Sequence, residues 1–223
     1  MNGKLFLQAV LKFLLGVVLV GGLIFLPAGT FSYFGGWLLM GILFLPMFLA
    51  GIVMMAKNPA LLKGRLEGKE KQKEQSLVVK LSGLMFMVGF TVSGLGVRFD
   101  WYRLPGWVTY VAAAVFLCAY ALYAEVMREN TYLSRTVKVQ EGQKVVDTGL
   151  YGIVRHPMYF ATVLLFFSMP LVLGSLYGFL IFLAYPILIA VRIKHEEAFL
   201  EKELHGYAEY KEKVKYRLIP WVW

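Results

Sequence analysis

Long apolar runs separated by short polar segments dominate the pattern of this chain. A helix needs about 20 apolar residues to cross a bilayer, and four runs reach that length: Leu5–Pro27, Tyr33–Ala56, Leu77–Val97 and Gly106–Met127. Two shorter runs follow, Tyr159–Gly174 and Leu176–Val191. The pattern predicts an all-α fold: a polytopic membrane protein with about six transmembrane helices, of which the last two form a short helical hairpin.

The last apolar run leads into polar sequence that is predicted to remain helical outside the membrane. Arg192–Leu204 is rich in helix formers and ends at His205-Gly206, a C-terminal cap signal. Tyr207–Tyr216 is a second charged amphipathic segment. We divide one integral membrane domain into residues 1–100, the N-terminal helices with a loop at 57–76, and residues 101–223, a core that carries the candidate chemistry.

Lysine and arginine are concentrated in two of the polar segments, residues 57–76 and 128–158. The turn after the first helix has neither residue type. Because positively charged loops stay in the cytoplasm, we predict that both segments and both termini are cytosolic. The short link at 98–105 is then expected to face outward.

The composition narrows the choice of partners. The chain is 59% hydrophobic and 17% charged, with a net charge of +9. Its basic residues flank apolar runs, so we expect contact with anionic membrane lipids rather than with nucleic acid. A single cysteine, Cys118, and three histidines without zinc-protease spacing give no reason to expect a metal.

Two polar clusters stand where apolar runs meet polar sequence, and a hairpin joins them. The first is Arg155-His156-Pro157-Met158-Tyr159. Proline suits the first helical position, and the free N–H groups of a helix start attract anions. The alternative interpretation is a helix cap with an arginine that reaches toward the membrane surface.

The second cluster is Arg192-Ile-Lys-His-Glu-Glu197. Helical spacing predicts that Arg192, His195 and Glu196 point in the same direction. The alternative is an ion pair between Arg192 and Glu196 on the helix surface, although its order is the less favourable one. Both clusters should meet at one membrane face, where a zwitterion or a phosphate-bearing cofactor would fit equally well.

Four motifs in fixed order carry a resemblance to a known family. They are Asp147-Thr-Gly-Leu-Tyr-Gly-Ile-Val-Arg-His-Pro-Met-Tyr159, Arg192–Leu200, Tyr207–Tyr210 and Arg217–Pro220. In this combination the segment from about residue 130 onward resembles the isoprenylcysteine carboxyl methyltransferases and the related phospholipid N-methyltransferases. The resemblance implies S-adenosylmethionine (SAM) as methyl donor, a cofactor pocket facing the cytosol, and a lipophilic methyl acceptor.

The resemblance also implies roles for individual residues. Arg192 would face the acceptor, and Arg192 and Glu196 would be the catalytic pair. The positions that would bind SAM are Gln143, Lys144, Val145, Val146, Tyr151, His156, Pro157, Met158, Tyr159 and Glu196. Gln143–Val146 stands where the family usually has His-x-Leu-Val.

The acceptor and two other classes of protein remain open. A prenylated cysteine carboxylate needs no general base, whereas a lipid amine would have to lose a proton, to Glu196, Glu197 or His195. A small isoprenoid-like thiol or acid is a third possible acceptor. An NADPH-dependent membrane reductase of the sterol type is a second enzyme class, which the adjacent carboxylates disfavour. A non-catalytic membrane scaffold is the third.

Overall fold

The structure, a computed structural model, describes residues 3–66, 73–134 and 136–223. Within these ranges the chain is helical and has no strand, as the sequence predicts. A short 3-10 turn, Gly149–Gly152, precedes α6. The α-helices are α1 (Gly3–Ala28), α2 (Phe34–Lys57), α3 (Pro59–Leu66), α4 (Lys73–Arg98), α5 (Gly106–Glu129), α6 (Pro157–Val172), α7 (Leu176–Phe182), α8 (Tyr185–Glu203) and α9 (Tyr207–Lys213).

Five helical stretches are long and apolar enough to cross a bilayer: α1, α2, α4, α5 and the stretch Leu176–Glu203, which joins α7 and α8. The apolar α6 is shorter. Large apolar side chains on the outside of the bundle are exposed, for example Val18 at 71% and Leu26 at 77%. Such a surface suits lipid rather than water, and the expectation of a polytopic helical membrane protein is confirmed.

Three turns meet at one end of the bundle. The hydroxyl of Tyr33, after α1, donates to the carbonyl of Leu173 at 2.6 Å. The backbone N–H of Leu104, in the α4–α5 link, donates to the carbonyl of Gly174 at 3.0 Å. The tip of the α6–α7 hairpin therefore reaches the same end as the α1–α2 turn and the 98–105 link.

The second arm of the hairpin is not the single helix Leu176–Val191 that the sequence predicts. It ends as α7 at Phe182 and begins again as α8 at Tyr185. Pro186 lies in the first turn of α8, where its missing N–H costs least. Beyond Val191, α8 runs on without a break to Glu203, so the prediction that this helix continues into polar sequence is confirmed.

Helix α4 packs closely on both sides because it carries small residues at its contacts. A Cβ atom on Gly94 would lie 2.5 Å from the carbonyl oxygen of Ile24 in α1. A Cβ atom on Gly89 would lie 2.4 Å from the ring of Phe182 in α7. Small residues at such positions are the usual means of close helix packing in membranes.

Helix α3 lies within the segment that we predicted to be a polar loop. Asn58 caps it by accepting the N–H of Leu61 at 3.0 Å. Leu61 and Leu62 are buried. Because charged residues surround this short apolar pair, the hydropathy pattern alone does not reveal it. Residues 73–76 of the predicted loop are also helical, because α4 begins at Lys73. Residues 67–72 of that loop lie outside the described residues, as does Arg135.

Candidate active site

A pocket lies where the coil of residues 130–146, the 3-10 turn, the start of α6, the polar end of α8 and α9 come together. Because α6 begins at the pocket and ends beside the hairpin tip, the pocket lies about 24 Å from the three turns. It encloses about 820 Å³ including its open mouth.

The structure brings most of the predicted site residues to this pocket. Pro157 is the exception: it is buried at the first position of α6, and its neighbours His156 and Met158 form the wall there. The predicted residues that line the pocket are Gln143, Lys144, Val145, Val146, Tyr151, His156, Met158, Tyr159, Arg192 and Glu196.

His195 does not point with Arg192 and Glu196, so that part of the prediction is wrong. Its side chain is exposed and does not line the pocket. Each residue of a helix advances about 100° around the axis. The inward direction of α8 runs between Arg192 and Glu197, both buried, and His195 lies well outside that arc.

Arg192 and Glu196 are joined through a tyrosine. The Nε of Arg192 donates to the hydroxyl of Tyr159 at 2.8 Å, and that hydroxyl donates to Oε2 of Glu196. The guanidinium also lies 5.9 Å from the centre of the Tyr159 ring. Arg192 is only 9% exposed, so this connection lies within the pocket wall and not on the exposed helix surface that the alternative interpretation assumed.

Glu197 is the centre of a second, more deeply buried cluster. Its Oε1 accepts from Nε of Arg155 at 2.7 Å and lies 3.2 Å from Nε2 of His156. Its Oε2 accepts from Nε of Arg217 at 2.9 Å. The sequence pattern indicated Glu197 only as a possible base and gave no sign of this role. A carboxylate already paired with two guanidinium groups positions its neighbours instead.

The segment after α9 is attached to the start of α6 through its backbone. The N–H of Arg155 donates to the carbonyl of Tyr216, and the N–H of His156 donates to that of Arg217, both at 2.9 Å. The guanidinium of Arg155 also donates to the carbonyl of Val214 at 2.6 Å. Residues on both sides of the hairpin are therefore held in place around His156.

Glu129, at the end of α5, fixes the 3-10 turn that carries Tyr151. Its carboxylate oxygens accept the N–H of Leu150 at 3.1 and 3.0 Å. Gly149 has a positive φ of 55°, and a Cβ atom there would lie 1.7 Å from Oε1 of Glu129. Only glycine fits, because any side chain would displace the carboxylate that holds the turn.

The pocket also has an apolar wall with tyrosines at its edge. Burial raises the pKa of Tyr151 and of Tyr210 well above the usual value, so both phenols stay neutral at physiological pH. The hydroxyl of Tyr210 donates to the carbonyl of Tyr151 at 2.8 Å. The residues of the apolar cluster are Val139, Val145, Leu200, Leu204, Tyr207, Tyr210 and Val214.

The described residues contain no group of three or more His, Cys, Asp or Glu side chains that could hold a metal ion. The ionisable groups that line the pocket include arginine, lysine, carboxylate, imidazole and phenol side chains.

Comparison with known proteins supports a class. Residues 107–206 match the phospholipid methyltransferase family model. This segment runs from α5 to the end of α8 and contains every pocket residue named above except Tyr207 and Tyr210. The match supports a membrane methyltransferase.

A curated relative is similar over part of the same chain. It is the Delta(14)-sterol reductase of Methylotuvimicrobium alcaliphilum, 25% identical over 134 residues, which is 53% of this chain and 31% of the reductase. The chain thus spans about a third of the length of that relative. The similarity is distant and covers a minority of the reductase.

Proposed function

We propose that the protein is a SAM-dependent methyltransferase that acts on a lipophilic acceptor at the membrane edge. The observation that carries this proposal is the pair of hydrogen bonds by which the hydroxyl of Tyr159 connects Arg192 with Glu196. It lies in a pocket built almost wholly from the segment that matches the phospholipid methyltransferase family. The apolar helices around the pocket suit an acceptor with a hydrocarbon tail.

The groups of the pocket fit the chemistry of SAM. Glu196 offers a carboxylate to a cationic ligand, and the wall around Val145 and Leu200 offers an apolar surface to a flat base. Tyr151 and His156 add polar contacts between these regions. When bound, SAM would supply a methyl group activated by a sulfonium. The residues that would hold it are those predicted from the resemblance, with Pro157 acting through the backbone turn that it starts.

The protein's own contribution is placement and exclusion of water. Arg192 would orient an acceptor carboxylate, which is ionised at neutral pH and needs no base. SAM, held by Glu196 and His156, would supply the methyl group for this displacement, and Arg192 would hold the acceptor oxygen toward it. Holding the reacting atoms in line supplies most of the acceleration such a displacement needs.

The finer proposal for the acceptor is the carboxylate of a prenylated cysteine, and the alternative is a phospholipid amine. Arg192 favours the carboxylate, because a planar guanidinium can hold two carboxylate oxygens at once. An amine would need a proton acceptor. Glu196 is then the best candidate, because His195 lies outside the pocket and Glu197 is already paired with Arg155 and Arg217.

A second candidate is an NADPH-dependent reductase, and one observation favours it. Lys138 and Lys144 line the pocket, where they could meet nucleotide phosphates. The two adjacent carboxylates were expected to repel the phosphates of NADPH. Arg155 and Arg217 balance the charge of Glu197, so only the charge of Glu196 still disfavours phosphate binding. The similarity to a sterol reductase points the same way.

Calorimetry on detergent-purified protein would separate the two candidates. We expect the wild type to bind SAM and its product S-adenosylhomocysteine, and to bind NADPH at least tenfold more weakly. Glu196→Gln and His156→Ala should each weaken S-adenosylhomocysteine binding about tenfold, the typical value of a charge-assisted hydrogen bond. Glu201→Gln, an exposed change on the same helix, is the control and should have no effect.

Two results would overturn the proposal. One is NADPH binding without binding of either SAM or S-adenosylhomocysteine. The other is unchanged affinity in both pocket variants. If neither result is found, transfer of labelled methyl from SAM to a prenylated cysteine acid or to a matched lipid amine decides the acceptor class.

A further inference from the structure

Tyr207 has a buried hydroxyl group without a partner. The residue lines the pocket and is only 4% exposed. No described residue forms a hydrogen bond with its hydroxyl oxygen, which is itself shielded from solvent. A buried polar group in this situation loses its hydrogen bonds to water and gains nothing in return. Such a group is expected to have a partner that is absent from the protein chain itself.

The other tyrosines of the pocket make the contrast clear. Tyr132 donates to the carbonyl of Gly142 at 3.2 Å, and Tyr210 donates to that of Tyr151 at 2.8 Å. The hydroxyl of Tyr159 bonds with both Arg192 and Glu196, and that of Tyr151 interacts with Asn130. Among the described residues that line the pocket, Tyr207 is therefore the tyrosine whose hydroxyl has no hydrogen-bond partner.

The position of Tyr207 indicates which part of a ligand it would meet. Its ring packs in the apolar cluster with Val145 and Leu200, on the wall assigned to the cofactor. Burial keeps the pKa of Tyr207 far above the usual value, and the charges of Glu197 and Glu196 raise it further. The hydroxyl is therefore neutral at physiological pH and can both donate and accept a hydrogen bond.

We propose that the hydroxyl of Tyr207 hydrogen-bonds a polar group of the bound nucleoside cofactor, which makes Tyr207 a binding residue beyond the matched family segment. This inference rests on the proposed function. Because the hydroxyl is covered in the ligand-free pocket, binding has to shift part of the wall. The coil at residues 143–146 forms part of that wall and lies outside the helices, so we place the shift there.

The test compares Tyr207→Phe with Tyr210→Phe, each of which removes one buried hydroxyl. Without ligand, Tyr207→Phe should unfold at the wild-type temperature or above it, because it removes an unsatisfied group. Tyr210→Phe should unfold at a lower temperature, because it removes a hydrogen bond to Tyr151. In calorimetry, Tyr207→Phe should weaken S-adenosylhomocysteine binding about 3- to 10-fold, the range of one neutral hydrogen bond.

A second probe, 5′-methylthioadenosine, identifies the group that is contacted. It keeps the nucleoside but lacks the amino acid end. If Tyr207→Phe weakens both ligands, the contact is to the nucleoside. If it weakens S-adenosylhomocysteine alone, the contact is to the amino acid end. Either result supports the proposal.

Two results would refute the inference while leaving the proposed function intact. One is equal S-adenosylhomocysteine affinity in the wild type and Tyr207→Phe. The other is a ligand-free unfolding temperature for Tyr207→Phe as low as that of Tyr210→Phe, which would show that the hydroxyl has a partner already. A wild type that binds neither SAM nor S-adenosylhomocysteine would instead remove the proposed function and this inference with it.

Discussion

The Nε of Arg155 lies 2.7 Å from Oε1 of Glu197, and the two side chains are 4% and 3% exposed. This pair links the loop before α6 to the polar end of α8, the two walls that enclose the pocket. Arg217 adds a third side from the segment after α9. Glu197 therefore holds the walls of the pocket together, whereas the neighbouring Glu196 lines the pocket itself.

Removing Glu197 should destabilise the protein strongly. Glu197→Ala leaves the buried guanidinium of Arg155 without the carboxylate that balances its charge, and breaking such a buried pair typically costs about 3–5 kcal/mol. Thermal unfolding in detergent should therefore shift to a clearly lower temperature. Glu201→Ala, which removes the half-exposed partner of Lys211, should shift it little. Equal stability of the two variants would contradict the role given to Glu197.

Arg192→Lys should lower turnover while leaving cofactor affinity nearly normal. Lysine cannot reproduce a planar two-point contact with a carboxylate, and it cannot keep the Nε bond to Tyr159. We expect turnover at saturating SAM to fall about tenfold or more. Tyr159→Phe is the companion variant. Since Tyr159 bonds with both Arg192 and Glu196, it should affect turnover and cofactor affinity together.

The measurements for this pair are initial rates with a prenylated cysteine acid and S-adenosylhomocysteine affinity by calorimetry. A double-mutant cycle of Arg192→Lys and Tyr159→Phe should be non-additive, because the two groups share one hydrogen bond. An Arg192→Lys variant with weak cofactor binding and normal turnover at saturating SAM would assign the arginine to the cofactor instead.

Gly149→Ala should damage the pocket more than a matched glycine substitution. The new Cβ would collide with the carboxylate of Glu129, which holds the N–H of Leu150. Gly142 provides the control: its φ is 68°, close to the 55° of Gly149, but nothing lies within 4 Å of its Cβ position. Both variants carry the backbone strain of about 1 kcal/mol that a positive φ imposes.

The difference in unfolding temperature and ligand affinity between these two variants reports the effect of the collision with Glu129. Gly149→Ala should unfold at a lower temperature than Gly142→Ala and should bind S-adenosylhomocysteine more weakly, because Tyr151 is part of the displaced turn. Indistinguishable unfolding temperatures would mean that Glu129 moves aside without cost.

The topology can be tested with single cysteines. Cys118 is exposed on the outside of the bundle, so it is first replaced by alanine. Tyr102→Cys in the α4–α5 link and Glu141→Cys beside the pocket should then react with a membrane-impermeant reagent from opposite sides, because the two segments lie at opposite ends of the bundle. We expect Glu141→Cys to be labelled only from the cytosol. Labelling of both positions from one side would refute the arrangement.

The long apolar runs allowed the helical membrane fold to be predicted, because length and hydropathy alone decide whether a helix can cross a bilayer. The helix α3 could not be predicted in this way. It depends on the Asn58 cap and on burial of Leu61 and Leu62, and burial is a property of the tertiary structure. The break between α7 and α8 was also not predicted, because Pro186 lies within an apolar run that was interpreted as one helix.

At the site, the motifs identified the residues that share the pocket but not how they pair. Helical spacing was measured from Arg192, so it grouped His195 with the site. The inward direction of α8 is set by Arg155 and Arg217, which come from distant parts of the chain. No local pattern records such a contact. For the same reason the sequence did not distinguish Glu197, which supports the site, from Glu196, which lines it.

The attachment of residues 214–217 to the loop before α6 has a consequence for biosynthesis. The apolar helices described above all precede this segment in the chain, so the segment is synthesised after them. Until it emerges from the ribosome, Arg155 lacks its carbonyl partners and Glu197 lacks Arg217. The pocket is therefore completed by the last part of this region to be translated, and a chain truncated after α9 would keep the apolar helices but lack the groups that hold Arg155 and Glu197 in place.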